Sequence, residues 1–138
     1  MSFEQSGPYV PGLKMEEVIA QGVDVWARSS LMMQSIASSQ GIAYFHILQP
    51  NQYVDRSKPF SQEEKATYVT PSEYAQATTA GYRLLVARGR ELALPGYFDA
   101  TEIFRGENRT VYADNCCHFN ELGSEMLADF IVRKIGPR

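Results

Sequence analysis

The sequence predicts an α/β protein with a small parallel sheet, and two observations carry this prediction. Long segments with apolar residues at helical spacing alternate along the chain with short β-branched and aromatic runs. Strands that alternate with long helices are joined by crossover connections and therefore run parallel. The 138 residues are enough for one core, so we expect a single domain over residues 1–138, with an irregular Pro- and Gly-containing arm over residues 1–12.

The N-terminal half predicts one long helix and one buried strand. Apolar residues at helical spacing predict a helix from Met15 to Ser39, closed by Gly41; the apolar positions are Met15, Ile19, Val23, Trp26, Met33 and Ala37. The following run IAYFHIL, residues 42–48, is too short for a helix and rich in β-branched and aromatic residues, which indicates a buried strand. Inside it, His46 is best interpreted as a core histidine.

Two helix starts follow a loop. The sequence SQEE contains a capping box, in which Ser61 and Glu64 satisfy each other's backbone amides, and it predicts a short helix. In TPSE, Thr70 is the predicted cap, Pro71 the first helical residue and Glu73 the third, and the periodicity predicts a helix to about residue 92.

The C-terminal part predicts a second strand and a last helix. PGYFDATEIF, residues 95–104, predicts a turn and a short extended segment, and TVYA, residues 110–113, is the second strand candidate or a strand end. Asn120 is the predicted cap of the last helix, with Arg133 and Lys134 in its final turn.

Composition and charge narrow the classes of function. The net charge is −3 and no basic stripe is present, so we expect no nucleic-acid partner. No apolar run is long enough to span a membrane, and no signal peptide is visible, which leaves a cytoplasmic location as the default expectation. Cys116 and Cys117 are adjacent and indicate no structural disulfide. No Gly-rich phosphate loop occurs, so no cofactor is predicted.

The segment VYADNCCHFNELG carries the strongest chemical signal. Asp114 lies four residues before His118, between a strand candidate and a helix. An imidazole can accept a proton from a nucleophile, and a carboxylate on its other nitrogen fixes the tautomer. His118 could also be a polar surface residue or a second cap. Cys117 as a thiol nucleophile, and a metal site formed by this cluster, are further and weaker alternatives.

Three stretches together resemble the C-terminal portion of the SGNH (GDSL-type) hydrolases, from about Trp26 onward. They are YFHILQPNQYV, the helix GYRLLVARGREL and YADNCCHFNELGSEMLADFI. The resemblance implies a partial three-layer α/β/α, flavodoxin-like fold and an ester-hydrolysing ancestry, with an ester or an acylated carbohydrate as substrate. It implies His118 as catalytic base. The family's acid usually lies three residues before the histidine, where Asn115 stands here, but we expect the carboxylate of Asp114 to reach the ring.

Residues after the predicted first strand could complete a substrate cleft. Ligands of α/β proteins bind beyond the carboxyl ends of strands, so Gln49 and Asn51 either contact substrate or only shape the turn.

The nucleophile and the oxyanion hole of such a hydrolase site are missing from the sequence. The family's nucleophile lies in a Gly-Asp-Ser block and its oxyanion hole includes a Gly-x-Asn-Asp block, and neither occurs here. We therefore expect this chain alone to be inactive. It is then either a piece of an enzyme whose N-terminal part is elsewhere, or a non-catalytic interaction or structural domain that kept the fold and lost the site.

The resembled fold also predicts an assembly. Its strand order is 2-1-3-4-5, and this chain supplies only the last two strands, so residues 42–48 would present an unpaired edge. We expect a homo-oligomer, most simply a dimer, with an apolar interface centred on residues 42–48 and including Trp26 or Met33.

Overall fold

The computed structural model describes residues 12–136, and most of the predicted N-terminal arm lies outside them. The described chain is a mixed helical structure with a small two-stranded parallel sheet, as the α/β prediction requires. The elements are helix α1 (Met15–Ser39), strand β1 (His46–Leu48), a π-helical segment (Glu64–Tyr68), helix α2 (Glu73–Glu91), strand β2 (Tyr97–Asp99) and helix α3 (Glu121–Ile135).

The sheet is shorter than the sequence predicts. β1 and β2 pair in parallel, with His46 opposite Tyr97 and Leu48 opposite Asp99, so residues 42–45 of the predicted strand are not part of the ladder. The reason is the conformation of the chain just before β2. The Tyr97 amide closes a turn onto the Leu94 carbonyl at 3.0 Å, so no extended chain is available beside residues 42–45.

The prediction of a strand at residues 110–113 is wrong, because the second strand is β2, from the extended segment that precedes it. Tyr112 makes only an isolated antiparallel bridge to Phe119. The amides of Val111 and Tyr112 donate instead to Glu64 Oε1, at 2.9 and 3.3 Å. A buried carboxylate therefore satisfies backbone donors that a sheet would otherwise use.

Thr70 is not the cap of α2. The hydroxyl of Ser72 accepts from the Ala75 amide at 3.0 Å, and the helix begins at Glu73. The Thr70 carbonyl lies within 3.4 Å of the Tyr53 hydroxyl, which keeps Thr70 in the preceding loop. The predicted cap of α3 is confirmed, since Asn120 Oδ1 accepts from the Gly123 amide at 3.0 Å.

Aromatic contacts join the sheet to the helices. Trp26 of α1 packs edge-on against His46, with 4.7 Å between the ring centroids, and also contacts Tyr97. From the opposite direction, Lys134 of α3 lies over the Phe98 ring at 5.6 Å. His46 is half-buried between α1 and the sheet, its Nδ1 is hydrogen-bonded to Ser30 Oγ at 2.5 Å, and burial lowers its pKa, so the prediction of a packed histidine holds in part.

A second core lies under the C-terminal part of the chain. Phe104, Val111 and Tyr112 are fully buried and Phe119 packs against them. This cluster supports the segment between β2 and α3, which contains Asp114 and His118. Over residues 12–136, no helix combines the length and the apolar character that crossing a membrane requires.

Candidate functional site

Residues 113–118 form a closed loop between the second core and α3. The Ala113 amide donates to the His118 carbonyl at 3.0 Å, beside the Tyr112–Phe119 bridge, so the two ends of the loop lie together. Asn120 fixes the exit, because its amide nitrogen Nδ2 donates to the Thr110 carbonyl at 2.8 Å. The loop thus starts and finishes on well-supported backbone.

The Asp114 carboxylate organises this loop and contacts the ring. Its Oδ1 accepts from the amides of Cys116 at 2.9 Å, Cys117 at 3.0 Å and His118 at 3.3 Å. Its Oδ2 is hydrogen-bonded to His118 Nδ1. The predicted proximity of Asp114 and His118 is confirmed. These residues are four positions apart, against three in the resembled family, and the turn of the backbone around Oδ1 accommodates the additional residue. Asn115 presents its carbonyl to Tyr53 and does not hold the ring.

The electrostatics keep this carboxylate ionised at neutral pH. The hydrogen bond from His118 has the largest effect on the pKa of Asp114, and together with those from the three loop amides it outweighs desolvation and holds this pKa well below its usual range. The His118 side chain is 74% exposed. Within residues 12–136 its Nε2 has no hydrogen-bond partner, so the nitrogen opposite the carboxylate is free to meet another group.

Three consecutive buried side chains, residues 51–53, hold the loop from behind, and we refer to them as the 51–53 clamp. Each donates to a different carbonyl of the loop. The contacts are Gln52 Nε2 to Asp114 O at 2.9 Å, Tyr53 OH to Asn115 O at 2.9 Å, and Asn51 Nδ2 to Cys116 O at 3.3 Å. The clamp therefore supplies a donor to three successive loop carbonyls and supports the backbone of residues 114–116.

The two predicted substrate ligands, Asn51 and Gln49, lie in different environments. Asn51 is 2% exposed, and its Oδ1 accepts from the Tyr53 amide at 2.9 Å. It therefore has the turn-shaping role that the sequence left as an alternative. Gln49 is exposed, and its carbonyl accepts from the Tyr82 hydroxyl at 3.3 Å. Contact of either side chain with a substrate stays a prediction.

A buried ion pair anchors the chain that enters the loop. The side chains of Lys58 and Glu64 have no exposed surface and form a salt bridge. Lys58 also donates to the Arg109 carbonyl at 2.8 Å, and Glu64 accepts from the Ser61 and Val111 amides, both at 2.9 Å. Burial alone would raise the pKa of Glu64, but Lys58 and these amides outweigh it and keep the carboxyl below its ordinary value.

The sequence revealed only part of this support. The Ser61–Glu64 capping box is present, with the Glu64 amide 3.1 Å from Ser61 Oγ. The capping-box pattern does not predict that the Glu64 carboxylate also accepts from the Val111 amide, because that contact joins residues far apart in the chain. Lys58 and the clamp residues lie in a loop without periodicity, where no local pattern marks a buried partner.

The thiols beside His118 are poor candidates for a nucleophile. Cys116 Sγ and Cys117 Sγ lie 2.8 Å apart and both are free. The hydrogen bond with Cys116 and partial burial raise the pKa of Cys117 to about 11, which disfavours the reactive thiolate at neutral pH. In the part of the chain that the structure describes, no group of three or more ligating side chains could hold a metal ion.

A serine does contact a histidine, but not at this loop. Ser30 is hydrogen-bonded to His46, and its exposure is 2%. Burial between α1 and β1 makes that pair a packing contact. Among residues 12–136, no serine hydroxyl hydrogen-bonds to His118.

Comparisons of the chain with protein-family models, with curated proteins and with solved structures found no match.

Proposed function

We propose that residues 113–118 are the base half of an SGNH (GDSL-type) ester-hydrolysing site. His118 Nε2 takes the proton of a serine nucleophile, and Asp114 orients the ring through Nδ1 and stabilises the imidazolium. The observation that carries the proposal is the contact of Asp114 Oδ2 with His118 Nδ1, on an exposed ring whose Nε2 is unoccupied. A surface histidine or a helix cap does not need a carboxylate on its Nδ1.

The proposed reaction needs groups that this sequence does not contain. A serine in a Gly-Asp-Ser block and oxyanion donors would come from the N-terminal part of the enzyme, on the same or on another polypeptide, and this part would extend the small sheet into the three-layer α/β/α arrangement of the resembled family. The substrate class is an ester, such as an acyl group on a carbohydrate. Without nucleophile and oxyanion donors most of the rate enhancement is lost, so this chain alone is inactive.

A second candidate is a non-catalytic interaction domain that kept the loop and lost the reaction. Two observations favour it. Within residues 12–136 no serine reaches His118, and α1 exposes a continuous row of apolar side chains. This candidate requires neither turnover nor a nucleophile from elsewhere.

Ester hydrolysis assays separate the two candidates. The DNA 5′ of the Met1 codon is the first place to look for a Gly-Asp-Ser block, whose polypeptide is then co-expressed with this chain. With p-nitrophenyl acetate we expect the chain alone to match its His118→Ala variant, and the complex to turn over ester in a His118-dependent way. Asp114→Asn should lower kcat by about 10³ to 10⁴, because the ring loses its tautomer control.

The matched control is Asn115→Ala, since only the backbone carbonyl of Asn115 takes part in the loop, and its turnover should be retained. Turnover in the complex that survives His118→Ala would refute the proposed base. His118-dependent turnover by the isolated chain would refute the missing nucleophile, and labelling with a fluorophosphonate would identify the residue responsible. Absence of any upstream block would favour the interaction domain.

A further inference from the structure

Helix α1 has two apolar faces, and the fold covers only one. Trp26 and Ser30 contact the sheet residue His46, and Ala27 beside them is 0% exposed. A second row follows one side of the helix, and we call it the α1 seam; its members are Met15, Val18, Gly22, Val25, Ser29, Met32 and Ile36. The five large members are between 45% and 64% exposed, and the space beside Gly22 is empty to 4 Å.

The spacing of the seam is that of a helix-pairing surface. Its members follow one another at alternating intervals of three and four residues along the whole helix, which is the heptad pattern of a coiled coil. The row is about 30 Å long at 1.5 Å per residue. An apolar row of this length exceeds the scattered exposure that is normal for a surface, and such patches mark interaction sites.

The charges of α1 lie away from the seam. Its charged residues are Glu16, Glu17, Asp24 and Arg28, and none belongs to the row. Asp24 and Arg28 pair with each other at 2.6 Å on the neighbouring side. A partner that covers the seam therefore buries no charged seam residue, which favours a second apolar helix over a charged ligand.

The two small residues favour a second copy in antiparallel orientation as the partner. In a parallel pair in register, Gly22 would face Gly22 and Ser29 would face Ser29, which leaves gaps. A single antiparallel alignment places each small residue opposite a valine; its pairs are Met15 with Met32, Val18 with Ser29 and Gly22 with Val25. This alignment is two-fold symmetric and places a positions against d positions, so both copies fill each other's gaps.

We propose that the chain forms an antiparallel homodimer through the α1 seam. The dimer expected from the sequence was centred on the edge of β1, whereas this interface lies on the helix. The proposal does not depend on the proposed hydrolase site, because none of the seam residues belongs to residues 113–118 or to the 51–53 clamp. An oxidative cross-linking experiment tests the orientation directly.

The experiment uses the full chain with Cys116→Ser and Cys117→Ser to remove the native thiols. Val18→Cys and Ser29→Cys variants, one of them isotopically labelled, are mixed in equal amounts under reducing conditions and then oxidised. We expect disulfides mainly between the two different variants, by at least about tenfold over like pairs. Like pairs in excess would overturn the antiparallel orientation. Leu31→Cys, which is 42% exposed but off the seam, is the control for random collision.

Sedimentation equilibrium tests the interface itself. Val25→Asp should convert the dimer to a monomer, whereas Leu31→Asp, on the same helix and of similar exposure, should leave it a dimer. Circular dichroism checks that both variants keep their helices. A wild-type chain that is folded and monomeric up to about 200 µM would overturn the proposal, as would a dimer that Val25→Asp leaves intact.

Discussion

Gln52 Nε2 donates to the backbone carbonyl of Asp114 at 2.9 Å, across 62 positions of sequence. The same nitrogen lies 3.3 Å from the Tyr68 carbonyl, so one buried side chain joins three segments of the chain. Gln52 thus holds the backbone of Asp114, while the carboxylate of Asp114 contacts the His118 ring. Positioning of the histidine therefore depends on a residue that touches neither the ring nor the carboxylate.

Gln52→Ala tests this dependence. Removing the donor leaves the part-buried Asp114 carbonyl without its partner, so we expect about 0.5–1.5 kcal/mol less stability against urea. Hydrogen exchange at the Cys116 and Cys117 amides, which donate to Asp114, should accelerate more than exchange in the middle of α2. Gln76→Ala, at an exposed position of α2, is the control. Equal effects of the two substitutions on loop exchange would contradict a positioning role for Gln52.

Lys58→Met tests the anchor in front of the loop. The substitution leaves the fully buried Glu64 carboxylate without its ion-pair partner, and breaking a buried pair in this way costs about 3–5 kcal/mol. Lys65→Met, at an exposed position next to Glu64 on the π-helical segment, should change the free energy of unfolding by less than about 0.5 kcal/mol. The measurement is urea denaturation of both variants. A cost for Lys58→Met as small as that of Lys65→Met would show that the pair does not anchor residues 109–112.

Several elements could be predicted from the sequence because their determinants are local. The apolar repeat of α1 gave its bounds, Met15–Ser39, and Asn120 was recognised as a cap from the residues that follow it. The contact of Asp114 with His118 was predictable for the same reason, since both residues belong to one turn.

The remaining features depend on contacts between distant segments. Residues 110–113 have strand-like composition, but Glu64, 47 positions away from Val111, takes the backbone donors that a strand would use. Thr70 fits a cap by local pattern, yet its carbonyl meets the Tyr53 hydroxyl and the helix begins after Ser72. The clamp and Lys58 lie in irregular chain, where spacing carries no information about burial.

The pH dependence of stability reports on the Asp114–His118 contact. The folded-state pKa of Asp114 is depressed below its usual value of 3.8, so this carboxyl contributes stability above that pH and loses it as the pH falls further. In His118→Ala the main cause of the depression is gone, and the folded pKa should rise toward the usual value. We therefore expect the variant to lose less stability than the wild type between about pH 6 and about pH 2.5.

Urea denaturation at the two pH values measures this difference. The depressed pKa of Glu64 contributes in the same direction in both proteins and cancels when they are compared. Identical losses in the wild type and in His118→Ala would mean that the imidazole does not stabilise the Asp114 carboxylate in solution.

The tautomer of His118 reports directly on whether Asp114 holds the ring through Nδ1. A carboxylate that accepts from Nδ1 requires the proton of the neutral ring on Nδ1 and leaves Nε2 as the acceptor that a nucleophile needs, whereas free imidazole side chains in water favour the proton on Nε2. The ¹⁵N shifts of the His118 ring, measured at a pH where the ring is neutral, distinguish the two forms. We expect Nδ1–H in the wild type and a shift toward Nε2–H in Asp114→Asn. A wild-type ring protonated on Nε2, unchanged by Asp114→Asn, would contradict this expectation.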